Sequence, residues 1–346
     1  MISKQLSPFF SFFIVAVVQI GVGIFTYTRE IAAITGNDGW ISILLAGVIT
    51  HFILWLMYRM LRHENTLTSI HEHAFHKFGK VVDLFFILYF TALVIALTTT
   101  YVEIVRVWLF PGLDQWVLII IIMGLVYLFT NSGLRTIVGV CVIAFFLIIP
   151  LLLFSHYPSG MLQTGSLFPI FNHTVLEVLQ GAKKMTFQLL GIEVLLVAYP
   201  FLKDGQASHR YAQWGLAFNI VLYVFIYAIT YLIFHKHHLV EIVWPTLSVW
   251  RMEYLGISLW LIILLPTMSL YLWSSSYIAK QSFPIRQRPA LRILIVISIV
   301  TASFFQREVD ILQLSRVLST VGFSTLYLYI PLLFIWTTAK RKWGSV

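Results

Sequence analysis

QIGVGIF, residues 19–25, interrupts the first long apolar run of this 346-residue chain with one amide and two glycines. A second interrupted stretch, QLLGIEVLL at residues 188–196, places Gly191 between Gln188 and Glu193 in a later apolar run. The centres of the two interruptions are 170 residues apart, close to half of the chain. Because lipid cannot satisfy unwound backbone, two such stretches at matching positions indicate that the breaks face the protein interior together.

The composition is that of a membrane protein. Of the residues, 59% are hydrophobic and 11% are charged, whereas soluble domains carry about 25% charged residues. With a mean hydropathy of +0.88, the chain is predicted to be an all-α polytopic membrane protein with a single transmembrane domain over residues 1–346. The net charge of +9 does not indicate nucleic-acid binding, because the charges flank apolar runs of about 20 residues, the length that crosses a bilayer. No cofactor is predicted, and the single Cys141 excludes an intrachain disulfide framework.

The apolar runs predict ten transmembrane helices. An odd number of spans in each half gives the two halves opposite orientations, so a five-plus-five arrangement is an inverted repeat, with halves of approximately residues 1–160 and 180–346. The two interruptions fall in helices 1 and 6, which are therefore expected to be discontinuous. The predicted spans are 9–35, 39–61, 81–109, 116–130, 136–154, 183–202, 211–234, 254–274, 291–306 and 314–338.

The positive charges predict the orientation of these spans. With both termini cytoplasmic, fifteen of the 23 Lys and Arg residues lie on the inside and eight on the outside. An excess of Lys and Arg in cytoplasmic loops is the usual topology signal, so cytoplasmic termini are favoured.

Each break would create ligand-binding groups from the backbone itself. The half-helix that starts near Ile24 would present a positive dipole end, and the half-helix that ends near Gln19 a negative one. Such a site suits a small zwitterion, with its carboxylate toward the N–H groups and its ammonium toward the carbonyls. The simpler alternative is that Gly21 and Gly23 only allow neighbouring helices to approach closely.

Glu193 is the most informative single residue, because it lies near the middle of the sixth predicted span. An unpaired charge at that depth costs at least ~2.5–3.5 kcal/mol, so the side chain is expected to face the interior. It would serve as a counter-charge for a substrate amine or a cation, or as a protonatable switch. The alternative is a neutral, hydrogen-bonded carboxyl that joins two helices.

Hydroxyl-bearing residues on two other spans are candidates for the wall of the same cavity. Thr98 and Tyr101 lie in the third span, and Ser269 follows Pro266 in the eighth. Hydroxyl groups also bond back to carbonyls of their own helix, especially beside a proline, so a purely structural role is the alternative.

Other polar residues have mainly structural interpretations. His51, near the middle of the second span, is expected to be a hydrogen-bonded packing residue, with a proton relay as the alternative. Glu103 and Arg106 are expected to form an ion pair at the outer edge of the membrane. Residues 71–76 (HEHAFH) lack the spacing of a zinc motif, and a solvated cytoplasmic helix is expected there.

Three short motifs combine in this chain: Gln19-Ile-Gly21-Val-Gly23 in the first span, Gly36-Asn-Asp38-Gly39-Trp40 at the second, and Gly191-Ile-Glu193 in the sixth. With ten predicted spans and a compact length, this combination resembles the endospore germination permeases. These are the B subunits of spore nutrient-germinant receptors, within the amino acid–polyamine–cation transporter superfamily.

The resemblance implies a multi-pass protein of the spore inner membrane, or of a bacterial cell membrane, that binds a small nutrient such as an amino acid, sugar or nucleoside. It also implies two partners, an A-type membrane subunit and a C-type lipoprotein subunit, with which the chain would start germination through an ion path. The predicted substrate-binding residues are Gly21, Val22, Gly23, Gly191 and Glu193 from the resemblance, and Thr98, Tyr101 and Ser269 from their own chemistry.

Two other functions are considered. A proton- or cation-coupled amino-acid permease would use the same broken helices, and solute uptake by the isolated chain would favour it. A polytopic acyl- or glycosyltransferase would need converging acid and base groups near one membrane face. The sequence has no paired carboxylates or His-rich motif at such a position, so we do not expect an enzyme.

Overall fold

The computed structural model of the chain describes residues 5–155, 170–249 and 253–344, and within these ranges the chain is almost entirely helical. Residues 156–169, which the sequence places at the end of the first half, lie outside the described residues. The α-helices of the described ranges are α1 Phe10–Val18, α2 Tyr27–Thr35, α3 Gly39–Glu64, α4 Leu67–Phe75, α5 Gly79–Trp108, α6 Gln115–Asn131, α7 Leu134–Ser155, α8 Val175–Lys184, α9 Thr186–Leu189, α10 Leu195–Ala198, α11 Gly205–Glu241, α12 Pro245–Val249, α13 Glu253–Ser282, α14 Gln287–Phe304, α15 Glu308–Phe323 and α16 Ile330–Gly344.

Helices long and apolar enough to cross a membrane account for most of the described chain. Seven helices of the described residues qualify as membrane spans on their own. The helix pair Val175–Lys184 and Thr186–Phe201, bent by 49°, would add an eighth span. The all-helical, multi-pass prediction is therefore confirmed. The seven are Tyr27–Glu64, Leu67–Trp108, Leu134–Leu151, Gly205–Phe234, Tyr254–Ser282, Gln287–Phe304 and Glu308–Lys342.

The count of ten spans stays a prediction, because two of the predicted spans are short in the structure. The first is divided into α1 and α2, of nine residues each, and a nine-residue helix is only about 14 Å long. The fourth corresponds to α6, an apolar helix of 17 residues. Neither α1 nor α2 alone covers the roughly 30 Å of a hydrocarbon core.

α1 lies at the centre of the bundle and packs against α7, α11 and α13. Ile14, Val15, Ala16 and Val17 are all fully buried, although they point to different sides of the helix. A helix that is apolar on every side is stable only when other helices surround it. The break that follows α1 is therefore held inside the protein.

α1 and α11 approach each other closely in this centre. A Cβ added to Gly215 of α11 would lie 2.6 Å from the carbonyl oxygen of Phe12 and 3.1 Å from Val15 Cβ. Small residues of this kind let two helix backbones approach in a membrane protein. The contact fixes α11 beside the first break.

The expectation of a fully solvated helix at residues 71–76 is wrong for His71. This residue lies on the buried face of α4, and its Nδ1 is 2.6 Å from Asp83 Oδ1 of α5. Ser282 of α13 donates a hydrogen bond to the other oxygen of Asp83 at 2.5 Å. α4 is amphipathic, with Leu67, Ile70, His71 and Ala74 buried together, and a partnered histidine is tolerated among them.

Two other expectations for polar residues are confirmed. His51 Nδ1 is hydrogen-bonded to Gln213 Oε1 of α11, as expected of a packing residue. Arg106 Nη1 lies 3.8 Å from Glu103 Oε2, which is the expected ion pair.

Replacing Gly215 with alanine is predicted to destabilise the protein by about 1–3 kcal/mol, because the new Cβ meets a backbone oxygen that cannot rotate away. Gly139→Ala is the matched control, since nothing lies within 4 Å of a Cβ at that helical glycine. Thermal unfolding of the purified chain in detergent measures both variants, and equal stability of the two would contradict the close contact.

Candidate functional site

The first break separates α1 from α2. α1 ends at Val18, Gly21 is extended with φ −106° and ψ −159°, and a 3₁₀ turn covers Val22–Phe25 before α2 begins at Tyr27. A Cβ on Gly23 would lie 2.9 Å from Nε2 of the Gln188 side chain. The glycine at position 23 therefore allows a close approach of the second break.

The second break lies between α9 and α10. Leu190 is extended, Gly191 adopts φ +111°, and a 3₁₀ turn covers Ile192–Val194. Glycine is favoured at position 191 for two reasons, since the left-handed conformation disfavours a side chain and a Cβ would lie 2.9 Å from Tyr271 Oη. This strengthens the prediction of a discontinuous helix at Gly191.

The two broken segments lie side by side and run in opposite directions. Near one end, the Leu6 amide donates to the Phe201 carbonyl and the Lys203 amide donates to the Leu6 carbonyl, both at 2.8 Å. At the other end, Asp38 bonds to the backbone of residues 171–173. Position 6 is thus close to 202, and position 38 close to 172.

Each break is stabilised by a glutamine from the other. Gln19 Nε2 donates to the carbonyl of Leu189 at 2.8 Å, and Gln188 Nε2 donates to the carbonyl of Gly23 at 3.2 Å. Both glutamines are buried. The polar residues that interrupt the two apolar runs therefore replace the helical hydrogen bonds that the breaks remove.

Two side chains of α11 complete the hydrogen bonding of the first break. Asn219 Nδ2 donates to Gln19 Oε1 at 2.8 Å and to the Val15 carbonyl at 3.1 Å. Tyr223 Oη donates to the Gln19 carbonyl at 2.6 Å. These bonds hold the Gln19 side chain in the orientation that reaches the second break.

Two hydroxyl groups reach the carbonyls on either side of the first break. Thr246 of α12 donates to the Ile24 carbonyl at 2.8 Å, and Thr267 of α13 donates to the Val17 carbonyl at 3.2 Å. In a bilayer each such carbonyl needs a partner inside the protein. Helices α11, α12 and α13 therefore each supply a side chain that satisfies a carbonyl of the first break.

A small cavity lies between the two breaks, with room for about one water molecule. Its wall in the described chain is formed by apolar, amide and hydroxyl groups, with no Lys, Arg, Asp or Glu. One acceptor on the wall, Gln188 Oε1, has no hydrogen-bond partner among the described residues. The lining residues are Val18, Gln19, Gly21, Gly23, Leu93, Leu97, Phe187, Gln188, Leu190, Tyr223, Thr267 and Tyr271.

Glu193 lies behind the second break, outside this cavity wall. Its Oε1 accepts a hydrogen bond from Tyr89 Oη of α5, and its Oε2 accepts one from the Gly191 amide, both at 2.7 Å. The side chain is fully buried, and none of the ion pairs of the described residues includes it. Glu193 therefore connects the break to α5, and its place in ligand binding stays a prediction.

Of the eight predicted site residues, Gly21 and Gly23 lie on the cavity wall. Val22 belongs to the 3₁₀ turn of the first break and Gly191 to the second break. Thr98, Tyr101 and Ser269 lie outside the lining. Thr98 donates to the Val94 carbonyl of its own helix, and Tyr101 donates to the Ile257 carbonyl, both at 2.8 Å. The buried Ser269 hydroxyl has no hydrogen-bond partner in the described part of the chain.

The α11 residues at the site were not among the residues predicted from sequence. Asn219 and Tyr223 interrupt a long apolar run four residues apart, which places them on one face of a helix. A buried amide in a membrane helix usually bonds to a neighbouring helix, so this spacing was a usable signal. Tyr89, the partner of Glu193, carried no comparable signal within its aromatic run.

The known proteins that this chain is similar to in sequence are spore germination proteins. The family described as "Spore germination protein" matches residues 5–311. The chain is 32% identical to spore germination protein GerQB of Bacillus cereus over 99% of this chain and 98% of that protein. It is 23% identical to spore germination protein A2 of Bacillus subtilis (strain 168) over 98% of this chain and 97% of that protein.

Solved transporter structures share the fold at low sequence identity. A Na⁺-coupled sialic acid symporter, bound to substrate in an outward-open state, superposes with a TM-score of 0.71 at 14% identity, over 94% of this chain and 78% of that one. A nucleobase-cation-symport-1 family transporter, in a closed conformation with bromovinylhydantoin bound, gives a TM-score of 0.61 at 17% identity, over 96% and 78%. The fold is therefore that of membrane transporters.

Replacing Gln19 with leucine is predicted to destabilise the chain by about 1–3 kcal/mol, because the buried Leu189 carbonyl loses its Gln19 donor and one of the two acceptors of the Asn219 amide is removed. Gln306→Leu is the control, since that glutamine is exposed and reaches only Ser303 at 3.4 Å. Thermal unfolding in detergent measures both, and a Gln19→Leu variant as stable as the control would show that the cross-bond contributes nothing.

Proposed function

This chain belongs to the spore germination protein family, and we propose that it is the germinant-sensing membrane subunit of a nutrient receptor. It would bind a small nutrient between its two helix breaks and trigger germination from there. The observation that supports this most is the reciprocal bonding of Gln19 and Gln188, which places a cavity between two unwound segments at matching positions of the chain. A helix that only anchors a protein has no need of such a break.

The proposed membrane topology has ten spans in two inverted halves, approximately residues 1–160 and 180–346. The opposite directions of the two broken segments support this arrangement, as does the likeness to transporter folds. The distribution of Lys and Arg supports cytoplasmic termini. The proposed location is the spore inner membrane or a bacterial cell membrane.

The proposed ligand is an amino acid, a sugar or a nucleoside. Amide and hydroxyl groups on the cavity wall suit the polar groups that all three share, and the unpartnered Gln188 Oε1 is available to an N–H or O–H donor. Gly21, Val22 and Gly23 would shape the pocket from the first break, and Gly191 from the second. Glu193 would sense the ligand through Gly191, because its carboxyl accepts a hydrogen bond from the Gly191 amide.

The three predicted hydroxyl residues would have supporting roles around the cavity. Ser269, with a buried hydroxyl that no described residue partners, would turn toward the ligand when the cavity enlarges. Thr98 and Tyr101 would support the wall through their bonds to Val94 and Ile257.

The proposed partners are an A-type membrane subunit and a C-type lipoprotein subunit, with ion release as the output of the complex. The naming of the relative GerQB as a spore germination protein supports a role in germination. A gene for an A-type subunit beside this one would favour the receptor assignment.

The alternative function is a proton- or cation-coupled amino-acid permease. The buried Glu193 favours it, because the carboxyl accepts two hydrogen bonds from neutral groups and forms no ion pair with a described residue. A proton or a cation would be a suitable partner for such a carboxyl. Uptake of labelled solute into vesicles that contain only this chain separates the two functions, since a receptor subunit is expected to show none.

Glu193→Gln is predicted to raise the nutrient concentration for half-maximal response by about tenfold or more, while the protein still accumulates. The glutamine keeps the shape, since its oxygen can accept from Gly191 and its amide can donate to Tyr89, but it cannot carry charge. Tyr89→Phe is the comparison that removes one hydrogen bond and keeps the carboxyl. A normal dose–response in Glu193→Gln would remove Glu193 from the mechanism.

Gly23→Leu is predicted to abolish or strongly reduce ligand sensitivity, because the side chain would fill the cavity and displace Gln188. Gly124→Leu is the control, since nothing lies within 4 Å of a Cβ at that position. Unchanged sensitivity in Gly23→Leu would show that the glycines of the first break serve packing alone.

A germination screen tests the role itself. A strain that lacks the gene is exposed to single amino acids, sugars and nucleosides, and it is expected to lose its response to one chemical class. A strain that responds normally to every nutrient would contradict the receptor function.

A further inference from the structure

A second buried carboxylate, on the side of the breaks away from the chain termini, is bound by one short backbone segment. Asp38 is 1% exposed, and its Oδ1 accepts a hydrogen bond from the Phe171 amide at 2.8 Å. Its Oδ2 accepts from the amides of Asn172 at 2.9 Å and His173 at 3.2 Å, and His173 Nδ1 lies 3.0 Å from the same oxygen. One side chain thus satisfies three consecutive backbone donors and an imidazole.

The backbone of residues 171–173 has the shape of an anion-binding concavity, in which successive N–H groups point to one spot. Phe171 adopts φ +61°, which is unfavourable for a residue with a side chain and persists only where the surroundings enforce it. The Asp38 carboxylate fills this concavity, and charge-assisted bonds of this kind are about twice as strong as neutral ones. We name Asp38 with residues 171–173 the Asp38 clamp.

The Asp38 clamp joins the half-helices on this side of the two breaks. α2 ends at Thr35, shortly before Asp38, and α8 begins at Val175, immediately after the bound segment. Ser42 of α3 continues the contact by donating to the Val178 carbonyl at 3.0 Å. α8 is therefore fastened to the α2–α3 turn just before its start and along its first turn.

α8 leads directly into the wall of the cavity, since Phe187, Gln188 and Leu190 follow it. The cavity has room for about one water molecule, so its walls must separate before any nutrient fits. α8 cannot leave the α2–α3 turn while four hydrogen bonds converge on one carboxylate.

We propose that Asp38 is a positioning residue that keeps the cavity closed on this side by clamping α8 to the α2–α3 turn. Opening of the Asp38 clamp admits small molecules to the cavity. That the admitted molecule is a nutrient rests on the proposed function, whereas control of access by the clamp does not. The proposal also gives the Gly36–Trp40 motif a physical role, which is to place this carboxylate at the end of α2.

Cysteine labelling tests access to the cavity without any ligand. The chain has one cysteine, Cys141, which is buried in α7 and reports global unfolding. Phe187→Cys adds a second thiol on the cavity wall beside α8. The purified full chain in detergent is treated with a water-soluble maleimide, and modification at positions 141 and 187 is followed separately by peptide mass spectrometry.

Asp38→Asn in this background is expected to raise the labelling rate at position 187 by about tenfold while Cys141 stays unmodified. The cause is that one amide oxygen replaces two carboxylate oxygens and an NH₂ group then faces backbone N–H groups. Glu177→Gln is the matched control, because this partly exposed acid at the same end of α8 is hydrogen-bonded to Thr174 of its own helix cap and to no other described residue. Its labelling rate is expected to equal that of the parent.

Equal labelling in the parent and in Asp38→Asn overturns the proposal, and so does a rise that Glu177→Gln or Cys141 matches. Should Asp38→Asn not accumulate, His173→Phe removes the imidazole contact and keeps all three amide bonds, with an expected rise of about two- to threefold. No rise in that variant overturns the proposal. If position 187 is labelled faster in Asp38→Asn while the strain that lacks the gene responds normally to every nutrient, the proposed function is overturned and the role of the clamp stays intact.

Discussion

The fold depends on how the protein satisfies backbone groups where two membrane helices are broken. A carbonyl left without a partner in hydrocarbon costs several kcal/mol, so a break is stable only where side chains replace the missing helical bonds. Gln19 and Gln188 do this reciprocally, each reaching a carbonyl of the other segment. The need for these bonds explains why the two broken segments are adjacent and why α11 packs so closely on α1.

The same bonds determine what remains for a ligand. Four carbonyls at or beside the first break are occupied by Asn219, Tyr223, Thr246 and Thr267, and the polar side chains on the cavity wall are amides and hydroxyls. The acidic side chain of Glu193 lies behind the second break, outside the cavity lining. Under the proposed function, a ligand would meet side-chain dipoles first, and the Glu193 carboxyl would respond through the backbone of the break.

Sequence patterns predicted much of this arrangement, because membrane helices are governed by local rules. Length and apolarity located the helices, and glycines with nearby amides located the breaks, since lipid tolerates such residues only for a reason. The prediction for His71 failed because its partner, Asp83, is on another helix. Thr98 and Tyr101 were selected by chemistry alone, and in the structure their hydroxyls reach backbone carbonyls away from the cavity lining.

The amino-acid sequence by itself determined the class of protein, the helical segments, the two breaks and the family resemblance. These follow from composition and spacing, which act along the chain. The tertiary structure decided which carbonyl each glutamine satisfies, that Glu193 bonds to Tyr89 behind the cavity wall, and that Asp38 binds residues 171–173. Such pairings join residues more than a hundred positions apart, and they depend on distances of a few ångströms that no local pattern records.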